Sequence, residues 1–272
     1  MKSTIFKSLL LIGFLMLLCS GKNRPIHVFM AGDSTMANKV LTKSGTDSIT
    51  GQKWEEAFLE RGWGMLLPEC FNDKVVFENL AQNGRSTRTF IEQGWWDKII
   101  TNVQKGDYVI IQFGHNDGAK DKPDRYTTPE DYRKNLIRFV DEVKAKGGKP
   151  IICTSIMRRK FDNEGKLVDT HGVYPVISRE VAAEKKIPLI DMQKLTTDWL
   201  EKVGSDISKQ YFHKIPADGS SKLYPKGLDD NTHLNEKGAR IVAGFFVREV
   251  KRLKLKPLSK EIMDNRLKLK SN

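Results

Sequence analysis

The sequence predicts an α/β fold, a parallel sheet covered by helices on both faces. Three observations predict it. Strand-like apolar runs alternate with helix-like stretches along the chain, the order expected of βαβ units. The run over residues 108–113 is almost continuously apolar, as a strand buried on both sides should be. Three short polar motifs begin where such a run stops, and open α/β sheets hold their ligands beyond the carboxyl ends of the strands.

Each element has its own justification. Residues 26–31 are rich in β-formers and end at the first motif. Residues 54–71 read as broadly helical, with a break near Gly62 and Gly64. Residues 75–80 form a second strand ending near Asn83 and Gly84, and residues 89–103 a helix. After the central strand, residues 129–146 carry Leu136, Phe139, Val140 and Val143 at helical spacing. Residues 150–156 are the next strand, 176–185 a helix and 188–191 a short strand. Residues 235–250 close the domain as an amphipathic helix with Asn235 as its N-cap. Two polar, Gly-containing segments, 158–172 and 205–229, read as insertions that shape a binding site.

The N-terminus is of another kind. Lys2 and Lys7, an apolar run over residues 9–18, then Ser20 and Gly21 follow the order of a secretory signal. The run is too short to span a bilayer comfortably. Cleavage is expected near residue 21; lipid attachment at Cys19 is the alternative, although Leu18 precedes it where a small residue is usual. Either route exports the protein, to the periplasm or the medium, with membrane contact only through such an anchor. The expected division is a signal over 1–21, one domain over 22–255 and a basic tail over 256–272. Cys70 and Cys153 then remain, with no CxxC pair, so no cysteine zinc site is expected, and Cys153 reads as a buried free thiol.

The formal charge is +12. Such an excess attracts nucleic acid, anionic membrane or an acidic polymer. Export removes nucleic acid as the normal partner and leaves an acidic polysaccharide as the sharper expectation.

Four blocks carry the chemistry: Gly32-Asp33-Ser34-Thr35, Asn83-Gly84-Arg85-Ser86, Gly114-His115-Asn116-Asp117 and Asp230-Asn231-Thr232-His233. A serine hydroxyl attacks esters only when a base takes its proton. His233 is the leading base, and Asp230 could orient it if the segment is a helical turn; Asp229 adjoins and stays open. Charge developing on an ester carbonyl needs fixed donors. The Ser34 and Gly84 N–H groups and the Asn116 amide can supply them. His115 is a rival base with no carboxylate at an obvious orienting spacing. Singly, each block is an ordinary turn or loop. Their order after successive strands gives them joint meaning.

These blocks resemble those of the SGNH hydrolase superfamily. Extended as Gly32-Asp33-Ser34-Thr35-Met36-Ala37, Asn83-Gly84-Arg85-Ser86-Thr87-Arg88 and Phe113-Gly114-His115-Asn116-Asp117, with Asp230 and His233, they are similar to one branch, the rhamnogalacturonan acetylesterases. The resemblance covers residues 26 to about 253. It implies a flavodoxin-like three-layer α/β/α sandwich with a central parallel sheet, and metal-independent removal of acetyl groups from pectic polysaccharide without a cofactor. It makes Ser34 the nucleophile, His233 the base, Asp230 its orienting acid, and Ser34, Gly84 and Asn116 the oxyanion hole. Arg85 and Arg88 could then meet galacturonate carboxylates.

Other readings stay open. The substrate could be a xylan ester or another acetylated glycan. An inactive glycan-binding protein could stack sugars on Trp95, Trp96 and Tyr126. A metallophosphoesterase could use His115, Asp169 and His171, but Asp169 and His171 fall after the block they should precede. Without a Gly-x-Ser-x-Gly motif, the nucleophile elbow of typical α/β-hydrolases is excluded.

Overall fold

The computed structural model describes residues 24–263. The expected signal and Cys19 lie outside the described residues, as does the tail from residue 264.

In chain order the chain forms β1 (Ile26–Gly32), β2 (Thr42–Thr46), β3 (Lys53–Ala57), β4 (Glu60–Arg61), β5 (Val75–Asn79), α1 (Thr87–Glu92), α2 (Trp95–Asn102), β6 (Tyr108–Gln112), α3 (Pro129–Ala145) and β7 (Lys149–Cys153). Then follow α4 (Tyr174–Glu184), β8 (Leu189–Ile190), α5 (Met192–Val203), α6 (Ser205–Ser208), β9 (Phe212–Ile215), β10 (Leu228–Asn235) and α7 (Glu236–Arg252). The central sheet has the order β5-β1-β6-β7-β8 with every pair parallel.

Alternate residues of each central strand enter opposite cores, as the pleat requires. Val28, Met30, Tyr108, Ile110, Ile151 and Cys153 pack on one face with Met192 and Leu200 of α5 and Val242, Phe246 and Val250 of α7. Phe29, Ala31, Val109, Ile111 and Ile152 pack on the other with Phe90, Ile99, Phe139 and Val181. Two helical layers therefore enclose the sheet, giving the expected α/β/α sandwich. Asn235 caps α7, its side-chain oxygen accepting the Gly238 N–H at 3.1 Å. Cys153 is buried and unbridged.

Four local expectations need correction. Residues 54–71 are helical only in part: β3 pairs antiparallel with β2 at their start, and a 3₁₀ helix spans Trp63–Cys70. A Cβ on Gly62 would stand 2.1 Å from the Ala37 carbonyl oxygen, so this strip lies directly on the turn after β1. The helix expected over 89–103 is two helices, broken at Gly94 with φ +72°. The 205–229 segment is no plain loop, since β9 within it pairs with β10 beside β4 in a second, antiparallel sheet. The domain also runs past residue 255: Leu258 is buried and Ile262 bridges Phe71.

Candidate active site

Ser34 stands on the turn directly after β1. Asp33 fixes that turn from below: its Oδ1 accepts the Thr35 N–H at 2.9 Å and the Thr35 hydroxyl at 2.7 Å. Gln112, at the end of β6, donates to Thr35 Oγ1 at 2.8 Å and accepts from the Trp63 indole at 2.9 Å. All four residues are buried. The serine is thus carried on a closed polar floor inside an apolar layer, where every bond counts because an unpaired buried group is costly. Among the described residues Asp33 Oδ2 finds no partner, and burial pushes this carboxyl above its usual pKa.

Gly84 follows β5. Its φ of +73° suits glycine, and a Cβ there would approach the Arg125 guanidinium at 3.2 Å. Asn116 follows β6, and its amide donates to the Arg85 carbonyl at 2.9 Å, leaving the second N–H of the amide as a donor. Asp117 locks the two blocks together. Its Oδ1 accepts the Thr87 N–H at 2.9 Å and the Thr87 hydroxyl at 2.6 Å, and its Oδ2 the Gly114 N–H at 3.1 Å. Burial raises the Asp117 pKa to about 6 despite these bonds.

Asp230 and His233 lie on β10, not on the helical turn that their spacing suggested. The ladder to β9 shifts register between Asp229 and Leu234. This irregularity lets Asp230 fold back: its Oδ1 accepts the Thr232 N–H at 2.7 Å and the His233 N–H at 3.0 Å. Its Oδ2 meets His233 Nδ1 at 2.7 Å, and His233 Nε2 meets Ser34 Oγ at 2.8 Å. With the Nδ1 hydrogen held by the carboxylate, Nε2 is the acceptor for the serine hydroxyl. Asp229 turns away to Lys214 and Asn231, which separates it from the neighbouring Asp230.

The electrostatics agree with this polarity. Burial opposes charging of His233, but the Asp230 bond and the charges of Glu60 and Asp230 outweigh it, and its pKa lies above the usual value. Burial likewise opposes ionisation of Asp230, but the bonds from His233 and Thr232 prevail and lower it to about 2.

Ser34, Gly84, Asn116 and His233 line one cleft, with a cavity volume of about 910 Å³. Arg85 reaches its wall, held by Gln93 at 2.7 Å and the Asn83 carbonyl at 2.7 Å. Arg88 does not. Its guanidinium donates to the carbonyls of Pro123, Asp124 and Tyr126 and pairs with Glu92, so it staples a loop to α1 and is corrected from a substrate contact to a structural one. His115 is engaged by His171 at 3.1 Å, and burial holds its pKa well below the usual value, so it is not poised as a base. Trp96 is fully buried with its indole N–H on Glu142, which leaves no ring face for a sugar.

Several cleft residues escaped the sequence reading. Arg158 opens the 158–172 segment and donates to the His115 carbonyl at 3.1 Å and to Thr170. Arg125 and Lys122 also line the cleft. Glu60 faces His233 and is anchored by Lys39 at 2.6 Å. No local pattern marks any of them; only the polarity of the 158–172 segment hinted at Arg158.

The chain is similar to several known proteins. Residues 47–241 match the model of the GDSL-like lipase/acylhydrolase family. Rhamnogalacturonan acetylesterase RhgT of Bacillus subtilis (strain 168) is 34% identical over 232 residues, covering 85% of this chain and 92% of that protein. The crystal structure of protein YxiM from Bacillus subtilis aligns with a TM-score of 0.67 at 25% identity. The alignment covers 85% of this chain and 58% of that one. An acetylxylan esterase from Geobacillus stearothermophilus aligns with a TM-score of 0.56 at 17% identity, over 83% of this chain and 94% of that one, and shares the fold.

Proposed function

The chain belongs to the GDSL-like lipase/acylhydrolase family and is a carboxylic ester hydrolase with the acetylesterase chemistry of its relatives, and from that premise we propose that it removes O-acetyl groups from pectic rhamnogalacturonan by serine acyl transfer. The observation that carries the mechanism is the continuous chain Ser34–His233–Asp230, with links of 2.8 and 2.7 Å, opening on a cleft. Ser34 Oγ attacks the acetyl carbonyl while His233 Nε2 takes its proton, and Asp230 holds the imidazole and its developing charge. The Ser34 and Gly84 N–H groups and the Asn116 amide receive the oxyanion. His233 returns the proton to the departing sugar oxygen, leaving acetyl-Ser34. Water then attacks, passes a proton to His233, and acetate leaves as Ser34 is reprotonated.

The pectic substrate is supported by the likeness to the Bacillus subtilis enzyme and by Arg85, Lys122, Arg125 and Arg158 around the cleft, which suit uronate carboxylates. Export is supported by the order of residues 1–21, and intact mass of the mature protein tests it.

The deciding experiment measures acetate release from acetylated rhamnogalacturonan and acetylated xylan, with excess chelator and with a folded Ser34→Ala variant. Chelator-resistant release from the pectic polymer, lost in the variant, is expected. Release from xylan alone would keep the serine chemistry and discard the pectic substrate. Persistence in the variant would discard the serine mechanism.

A further inference from the structure

Glu60 has no part in the acyl-transfer scheme, yet it faces the reacting nitrogen. Strand β4 pairs with β10, Glu60 opposite Asn235, which sets Glu60 across the ladder two residues past His233. Its Oε1 stands 4.0 Å from His233 Nε2, too far for a direct hydrogen bond. That oxygen is not free to swing, because Lys39 Nζ holds it at 2.6 Å and is itself bonded to Asn83 Oδ1. The lysine side chain is only 2% exposed and the glutamate 14%. His213 Nδ1 closes the far side, 3.9 Å from Oε2.

A gap of 4.0 Å between two acceptors is the span of one bridging water. A water at ordinary hydrogen-bond length from each would subtend an angle of about 90–95°, close to the natural opening of its two O–H bonds. We propose that Glu60 holds the hydrolytic water of the deacylation step, one hydrogen on His233 Nε2 and the other on Glu60 Oε1, with the oxygen presented to acetyl-Ser34. This inference rests on the serine mechanism proposed above.

The chemistry balances without a further reactant. The water oxygen bonds to the acetyl carbon and its first proton passes to His233. As the carbon–Oγ bond breaks, that proton goes to Ser34 Oγ, and the second leaves with acetic acid, still directed at Glu60. In acylation the sugar carbon replaces this second hydrogen, so Glu60 has no proton to accept. Loss of Glu60 also lowers the His233 pKa, which both half-reactions feel, so only at a pH above the His233 limb, where the base is neutral with or without Glu60, does its loss fall on deacylation alone. A carboxylate has spare lone pairs for this role while it binds Lys39.

The test uses Glu60→Ala and Glu60→Gln with p-nitrophenyl acetate, followed by rapid mixing and by mass spectrometry of acid-quenched protein. Deacylation is expected to fall on the order of 10²-fold in Glu60→Ala, the scale of a misplaced reactant. At a pH above the His233 limb, the p-nitrophenolate burst should keep its rate within about threefold, with acetyl accumulating on Ser34. Glu60→Gln keeps an acceptor oxygen and should fall between the two. A parallel loss in both half-reactions, or no accumulation of acetyl-enzyme in either variant, would overturn the proposal and leave the serine mechanism standing. Turnover that persists in a folded Ser34→Ala variant would overturn both.

Discussion

A single proton path, from Ser34 through His233 towards Asp230, organises the residue scale. Ser34→Ala should lower kcat by on the order of 10⁴–10⁶-fold with the fold intact, as read by acetate release. Asn116→Ala removes one oxyanion donor and should cost about 10²–10³ in kcat with little change in KM. The base works only when uncharged. Because Asp230 and Glu60 overcome the effect of burial and raise His233, activity should rise with pH along a limb centred above 6.5, and vanish below it. Asp230→Asn should move that limb to lower pH and lower kcat by about 10⁴-fold, measured as a kcat/KM profile. Ser34, Gly84 and Asn116 were legible because each sits in a short block at a strand end, and His233 because of its spacing from Asp230. Lys39, Glu60 and Arg158 were not, because their meaning is a position in space with no local signature.

Elements hold these residues through a few specific contacts. Asn235 caps α7 and also donates to the carbonyls of Gln210 and Phe212, so it joins the strand of His233 to the following helix. Asn235→Ala should cost about 1 kcal/mol or more of stability in urea unfolding. Gly62→Ala forces a Cβ into the Ala37 carbonyl beside the serine turn, and a loss of about 1–3 kcal/mol is expected in the same assay. The central strands were readable from apolar runs because both faces are buried. The β2–β3 hairpin was not. Neither strand carries a buried residue, so no apolar run marks it. Asp230 and His233 were read at the right spacing on the wrong element, since three residues meet equally well across a helical turn or a bulged strand.

For the whole molecule, charge is the property with reach. A basic protein drawn to an acidic polymer should lose that advantage as salt screens it. Raising ionic strength should therefore raise KM on acetylated rhamnogalacturonan several-fold, while KM on neutral acetylated xylan stays nearly constant. An equal response on both would remove long-range attraction from the account.

The nucleophile and its base are 199 residues apart in the chain, one on the turn after β1 and the other on β10. A ribosome must therefore release nearly the whole domain before any ester can be cut. Ester cleavage is in effect a clock for assembly. On refolding, return of catalysis should coincide with the enclosure of Trp63, because Phe246 of α7, the helix that directly follows β10, packs on its ring at 5.4 Å. On heating, the same clock runs backwards, and catalysis should fail together with the core that holds Leu234 of β10 and Trp63.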